Sequence, residues 1–338
     1  MSTFKSWAAQ GPKEKLVPYE FDPGPLGPEE VELKVLYCGL CHSDVSVLNN
    51  DWGNSLYPFV PGHEIVGEII ALGERAKGLK IGQKAGIGWN AGSCMYCSQC
   101  ISGNHHLCGE VGATIIGHTG GFADRVRAQW HWVFPLPEGL DISNAGPLLC
   151  GGITVFAPLI INDIKPTDHI GIVGIGGLGH MAIKFAKAWG CEVTAFTHSA
   201  SKFDEARRLG ADHVASSTDS SSITALAGKL DMVLITANVT LDWNALISTL
   251  APNGRFHIVG VVLEPIPVVA FNLIVAQRIV TGSPTGSPSV IARMLKFAAR
   301  HGIAPQVEHF PMSSINDAFD HLRAGKPRYR IVLDADFA

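Results

Sequence analysis

Four cysteines, Cys94, Cys97, Cys100 and Cys108, stand in the order CxxCxxCx7C within SCMYCSQCISGNHHLC, and no other feature restricts the folding of this chain so tightly. Two-residue gaps let successive thiolates converge from one turn, and four soft sulfur donors form a closed tetrahedral shell for Zn2+. A closed shell pins a loop and leaves no position open for chemistry. Two disulfides or four unrelated thiols are the competing readings, and the short gaps suit a metal better than bridges.

A chain of 338 residues with 46% hydrophobic content can bury a large core and, by length, holds about two domains. Its net charge of -4 comes from 26 basic and 30 acidic residues without a long run of either sign. That balance offers no electrostatic footprint for nucleic acid or an anionic membrane, and small neutral or polar ligands fit it better. The opening MSTFKSWAAQ lacks the basic and apolar segments of a signal peptide, and no uninterrupted apolar stretch reaches the roughly 18 residues of a membrane span. Eight cysteines, half of them in one loop, suit metal ligation in a reducing compartment. A cytoplasmic protein is the expectation.

Up to about Cys150 the chain is rich in Gly and Pro, with short β-like runs such as VELKVLYCGL, HEIVGEIIALG and GFADRVRA, which predict an irregular, mostly β domain over 1–150. From Gly151 apolar strands alternate with amphipathic helices: HIGIVGIGG, HMAIKFAKAWG, CEVTAFT, SKFDEARRLG, DMVLIT, LDWNALISTLA, GRFHIVGVV and RIVTGS. Such alternation predicts βαβ units and a doubly wound parallel sheet over 151–286, an α/β class. The tail, 287–338, reads as helix, short strand, helix and the closing strand YRIVLD, and is expected to pack back on the first lobe.

Between the strand HIGIV and the helix HMAIKFAKAW stand Gly174, Gly176, Gly177, Leu178 and Gly179, the pattern GxGGLG. Glycines there permit a tight turn and close approach of a pyrophosphate to a helix N-terminus, whose free N–H groups and dipole favour an anion. An NAD site places Asp or Glu about 20 residues on, at the end of the second strand, to bind the ribose 2'-hydroxyl. Here that strand ends in Thr197, His198 and Ser199, with Lys202 behind, while Glu192 lies at its beginning. Hydroxyls and a cation accept a 2'-phosphate that a carboxylate would repel, so NADP(H) is favoured; His198 and Lys202 also read as plain surface residues at a helix start.

Cys41, His63 and Cys150 are further candidate metal ligands, but spacing alone does not join them. GLCHSDVSVL, PGHEIVG, the four-cysteine loop, GPLLCGGITVF and GIGGLGHMAIK follow one another as in zinc-dependent medium-chain alcohol dehydrogenases, which the chain resembles essentially end to end. The resemblance is nearest to the cinnamyl-alcohol-dehydrogenase-like branch, particularly its bacterial NADPH-dependent broad-range aldehyde reductases. It implies a GroES-like catalytic lobe built from both chain ends, a Rossmann lobe between, an active site in the cleft, two zinc ions per chain, and a homodimer or homotetramer. Carried over by position, Cys41, His63 and Cys150 would hold a catalytic zinc with one place left open, and Glu64 would be an occasional ligand. Asp44 would orient the His63 ring, its alternative being a helix cap. Ser43 would pass a proton between substrate and the cofactor ribose, His42 would face the pyrophosphate, and Thr154 would line the nicotinamide side.

Many relatives end the proton relay with a histidine three residues after that hydroxyl; this chain has Ser46, which cannot serve as a base near neutral pH. Alcohol oxidation is therefore expected to be slower than reduction, or to need higher pH. Trp52 and Trp89 lie where relatives place pocket side chains and would favour apolar or aromatic aldehydes, although core packing also explains them. Cys38 and Cys191 read as small buried residues, and His105 and His106 as exposed loop residues. The leading expectation is an NADP(H)-dependent, zinc-containing alcohol dehydrogenase acting on small aldehydes or alcohols. An NAD-dependent polyol or secondary-alcohol dehydrogenase, and a non-enzymatic cofactor-binding protein of the same fold, are the alternatives.

Overall fold

The computed structural model describes residues 3–337. One compact unit holds residues 3–150 together with residues 285–337, and a second holds Gly151–Pro284. The return to the first unit thus begins two residues before the place where the sequence texture puts it.

The first unit opens with a hairpin-like pair, β1 (Phe4–Ala8) antiparallel to β2 (Val17–Phe21). β3 (Glu30–Leu40) is its spine. Val31, Leu33 and Val35 alternate into the core while Lys34 faces outward, the period of a half-buried strand. At its end the alternation stops, and Cys38, Gly39 and Leu40 are all buried where the chain turns into α1 (His42–Asn49). β4 (Glu64–Leu72) and β5 (Lys84–Ile87) follow, then β6 (Asn90–Gly92), the cysteine loop with the short α2 (Ser98–Ile101), β7 (Gly112–Ala113), β8 (Arg125–Gln129) and β9 (Val133–Pro135). β6 and β7 pair antiparallel and close the base of the loop.

The second unit starts with α3 (Gly151–Ile161), buried on all sides as far as Leu159. The βα alternation runs through β10 (His169–Val173), α4 (Gly179–Trp189), β11 (Glu192–Thr197), α5 (Phe203–Leu209), β12 (His213–Ser216), α6 (Ser220–Thr224), β13 (Leu230–Ile235), α7 (Trp243–Ser248), β14 (Leu250–Ile258), α8 (Ala270–Ile274) and β15 (Ile279–Gly282). All six strands are parallel, in the order β12-β11-β10-β13-β14-β15. Counted from β10 that is 3-2-1-4-5-6, the doubly wound order that binds dinucleotides at the carboxyl ends where the strand order reverses, beside β10.

The chain then returns to the first unit with α9 (Pro288–His301), β16 (Val307–Pro311), α10 (Ile315–Arg323) and β17 (Arg330–Asp334). α9 buries Ile291, Met294, Leu295 and Ala298, the i, i+3, i+4, i+7 stripe of an amphipathic helix. Each large side chain of that stripe contributes roughly 1.5–3 kcal/mol on full burial. β17 inserts between β16 and β3, giving a sheet of order β16-β17-β3-β4-β5-β9 with β8 also on β3. Ile315, Phe319, Ile331 and Leu333 share one core with Val31, Leu33, Ile65 and Phe122, so the two ends of the chain make a single β unit.

Candidate active site

Cys41 sits where β3 gives way to α1, His63 and Glu64 at the start of β4, and Cys150 at the end of the first unit's first segment. β3 and β4 are paired in register, Gly39 opposite Glu64, which brings these segments side by side. A Cβ at Gly39 would lie 2.0 Å from Glu64 Oε2, so this position admits no side chain while Glu64 points inward. The donor atoms of Cys41, His63, Glu64 and Cys150 all lie within 4.8 Å of one another, and all four residues are buried. Among the described residues, His63 Nε2 and Glu64 Oε2 have no hydrogen-bond partner although both are buried. A buried acceptor without a partner is costly, and two thiols, an imidazole nitrogen and a carboxylate oxygen converging in this way fit a zinc ion.

Asp44 holds the cluster in shape. Its carboxylate accepts the Cys41 N–H at 2.9 Å and the Gly62 N–H at 2.9 Å, and lies 3.1 Å from His63 Nδ1. The Asp44 Oδ1 acceptor fixes the proton on Nδ1 and leaves the Nε2 lone pair for a metal. Capping of α1 and orientation of His63 are thus performed by one side chain. On the other side Arg330, buried in β17, donates to Glu64 Oε1. Burial opposes the guanidinium charge, but Glu64, Cys41 and Cys150 outweigh it and hold Arg330 protonated. Burial likewise pushes the Glu64 carboxyl up to about 7 against the pull of Arg330.

The Cys41 thiol is pulled well below the usual thiol range by its hydrogen bond with Cys150, with Arg330 and His63 helping against burial. Cys150 is pushed well up by the same contact and by burial. The first thiol of the pair ionises readily, and the second needs a cation, which deprotonates a coordinating thiol outright.

The cysteine loop is a separate centre. Its four sulfurs lie within 4.8 Å of one another and none is in a disulfide. Cys94 Sγ is 3.9 Å from Cys100 Sγ and 3.5 Å from Cys108 Sγ. A tetrahedron with Zn–S of about 2.3 Å has edges of about 3.8 Å, whereas a disulfide needs about 2.05 Å. The Cys97 N–H points at Cys94 Sγ and the Glu110 N–H at Cys108 Sγ, both at 3.3 Å, as befits sulfurs that carry charge. His105 and His106 are half-buried in a short 3-10 turn, the His105 ring tilted against His131 with centroids 5.4 Å apart, which corrects their reading as exposed loop residues.

In the second unit, Gly174 has φ +96° at the end of β10, and a Cβ on Gly179 would come within 1.8 Å of the Gly174 carbonyl oxygen. Turn and helix could not approach so closely with a side chain there. Beyond β11, His198 is exposed and Ser199 half-buried, but Thr197 is buried, its hydroxyl accepting the Ser199 N–H at 3.2 Å. Thr197 ends a strand buried at every position after Glu192, and its hydroxyl braces the turn that follows. Lys202 reaches back and donates to the Ile175 carbonyl at 2.9 Å, so its ammonium braces the glycine turn in this structure. Thr154 is buried on α3, and Glu192 is exposed at the head of β11 with its carboxylate 2.7 Å from His213 Nε2.

Among the remaining candidates, Ser43 is half-buried with its hydroxyl 3.7 Å from Cys41 Sγ, and His42 is exposed. Trp89 stands edge to face with His63, ring centroids 4.9 Å apart, and Trp52 meets Trp89 at 6.0 Å. Both indoles are half-buried beside the metal-ligand cluster and pack on the core. Sequence reasoning missed Arg330, whose one signal was a cation at the head of the apolar run Ile331–Leu333, and Thr236, whose hydroxyl lies 2.9 Å from the carbonyls of both Val173 and Gly174.

An open-type donor set of two cysteines and a histidine on a β unit, a closed four-cysteine centre and a six-stranded dinucleotide-type sheet define a zinc-dependent dehydrogenase. Residues 27–138 match the alcohol dehydrogenase GroES-like domain and residues 177–300 the zinc-binding dehydrogenase domain. The aldehyde reductase AdhA of Synechocystis sp. is 54% identical over 329 residues, covering 97% of this chain and 98% of that protein. The 8-hydroxygeraniol dehydrogenase of Catharanthus roseus is 39% identical over 337 residues, covering 97% and 94%. A cinnamyl alcohol dehydrogenase from Sorghum bicolor has the same fold with a TM-score of 0.94 at 37% identity, and one from Helicobacter pylori, solved in complex with NADP(H), has 0.89 at 30%, each match covering 98% of both chains. The chain belongs to the zinc-dependent medium-chain alcohol dehydrogenase family, in the branch that holds the cinnamyl alcohol dehydrogenases and bacterial aldehyde reductases.

Proposed function

We propose that this enzyme works mainly as an NADP(H)-dependent aldehyde reductase of broad range, with Cys41, His63 and Cys150 holding the reactive zinc. The observation that carries the reading is the buried donor cluster in which His63 Nε2 and Glu64 Oε2 lack hydrogen-bond partners among the described residues. When bound, zinc supplies Lewis acidity toward a carbonyl or alcohol oxygen and the nicotinamide supplies or takes the hydride. Cys41 and Cys150 provide thiolate charge, and Asp44 keeps the His63 ring in one tautomer and one orientation. Ser43, whose hydroxyl lies 3.7 Å from Cys41 Sγ, would pass a proton between substrate and the cofactor ribose. Ser46 offers no base beyond it, so protons reach solvent by another route and oxidation is favoured at higher pH. Trp89 and Trp52 give flat apolar walls that suit aromatic and aliphatic aldehydes over polyols.

The absence of a carboxylate after β11, with His198, Ser199 and Lys202 in its place, supports NADP(H) over NAD(H). An exposed apolar row in one stretch of the second unit, Leu263, Phe271, Ile274 and Val275, leads into the edge strand β15 and supports a homodimer through that edge. Among the described residues no helix is long and apolar enough to cross a membrane, in keeping with a cytoplasmic enzyme.

A panel of aromatic and aliphatic aldehydes assayed with NADPH and NADH tests the reading, together with metal analysis. The parent is expected to turn over aldehydes with NADPH and to carry about two zinc ions per chain. Cys150→Ser should abolish turnover and remove about one zinc while the cysteine loop keeps its own. No turnover by a zinc-replete preparation would overturn the proposal.

A further inference from the structure

The turn between β10 and α4 is electrically one-sided. Val173 O accepts from Thr236 N at 3.1 Å and lies 2.9 Å from Thr236 Oγ1, and Gly174 O lies 2.9 Å from the same hydroxyl. Ile175 O accepts from Lys202 Nζ at 2.9 Å, and Gly176 O from His180 N at 3.1 Å. Four successive carbonyls are thus each held by a donor of the protein. The N–H groups of Gly176, Gly177 and Leu178, by contrast, meet no acceptor among the described residues. Successive free N–H groups with their carbonyls turned away form an anion-binding concavity.

Two of those carbonyls depend on one residue. Gly174, at φ +96°, has the conformational freedom to swing its peptide plane, and glycine alone does little to choose its direction. A Gly174 carbonyl oxygen turned toward a pyrophosphate would repel it. Thr236 immediately follows β13, the strand next to β10, and fills the space that Gly174 and Gly179 leave: Cβ atoms there would come within 3.3 and 3.1 Å of its Oγ1.

We propose that Thr236 is a positioning residue of the dinucleotide site, whose backbone N–H holds the Val173 carbonyl and whose hydroxyl holds the Gly174 carbonyl away from the anion, so that neither oxygen opposes a pyrophosphate at the free N–H groups of Gly176, Gly177 and Leu178. This rests on the reading of the protein as a dinucleotide-dependent enzyme. Because both cofactors share the pyrophosphate, loss of the hydroxyl weakens NADPH and NADH alike and leaves the 2'-phosphate preference unchanged.

Thr236→Val keeps the shape and removes the hydroxyl. Titration of cofactor fluorescence on the zinc-replete enzyme is expected to show Kd for both cofactors raised roughly five- to tenfold, the worth of one buried hydrogen bond. KM for the cofactor should rise by the same factor, while kcat at saturating cofactor, KM for the aldehyde and the zinc content stay within about twofold of the parent. Thr236→Ser should restore cofactor affinity; Thr236→Ala carries the same expectation as valine and replaces it if the valine protein does not fold. Unchanged cofactor affinity, a fall in kcat without a fall in affinity, a loss confined to one cofactor, or a defect that serine does not restore would each overturn the proposal. A parent enzyme that binds neither cofactor would overturn the functional reading itself.

Discussion

Asp44 and Arg330 mark how far single residues could be read. The sequence leaves Asp44 open between a helix cap and an orienter of His63, and the structure gives it both tasks, since its carboxylate meets Cys41 N, Gly62 N and His63 Nδ1. Arg330 lies 266 residues from the Glu64 it pairs with, and no local pattern encodes such a partnership. His257 carries a consequence for pH. It is buried in β14, with Asn162 Nδ2 donating to its Nδ1 at 2.9 Å and its Nε2 2.8 Å from Ser283 Oγ, contacts that suit the neutral ring. Burial pulls its pKa down to about 4. An unfolded histidine ionises near 6.5, so between these values the unfolded chain binds the extra proton and stability falls as pH falls. The contribution is present above about pH 6.5, is reduced by about 2 kcal/mol at pH 5, and is fully lost below about 4. Denaturant unfolding at pH 7 and pH 5 should show a smaller acid loss in His257→Gln than in the parent, by about that amount. Equal losses would assign the acid sensitivity to other groups.

Elements with strong periodicity were legible and weak ones were not. α9 announces itself by its apolar stripe, and the βαβ alternation from HIGIV onward gives the sheet its class. β12 (His213–Ser216), only four residues long with no apolar alternation, was invisible, and so were α6 and α8, five residues each. Such short pieces take their conformation from the neighbours they pack on. GFADRVRA yields a strand only from Arg125, its first residues forming bends against β1. The cysteine loop is the extreme case of an element without a period. Between β6 and β7 it has one helix of four residues and exposes Tyr96, Ile101 and Leu107, so its four sulfurs are the main tether. Cys97→Ser is expected to lose about one zinc per chain and to open the loop to limited proteolysis between residues 94 and 112. The zinc of Cys41, His63 and Cys150 should remain, as read by metal analysis and by the masses of the fragments. Unaltered zinc content and cleavage rate would show that other contacts hold the loop.

At the scale of the whole molecule, one unit is discontinuous and the other is inserted into it. The exposed apolar row before β15 belongs to the inserted unit alone, and the proposed homodimer therefore makes a separable demand. Leu263→Asp with Ile274→Asp should shift sedimentation from dimer to monomer while zinc content is unaffected, and a parent that sediments as a monomer would dispose of the idea. The discontinuity also sets an order of events during synthesis. β17, the neighbour of β3, and Arg330, the counter-charge of Glu64, emerge last. At roughly 5–20 residues per second the ribosome needs on the order of ten seconds to a minute to cross the 266 residues between Glu64 and Arg330. For that interval the nascent first unit carries an open sheet edge and a carboxylate without its guanidinium, and the inserted unit, which ends at Pro284, has its whole sequence before Arg330 emerges. The nucleotide-type sheet can close first, and the metal cluster gains its final charge partner only when the last strand arrives.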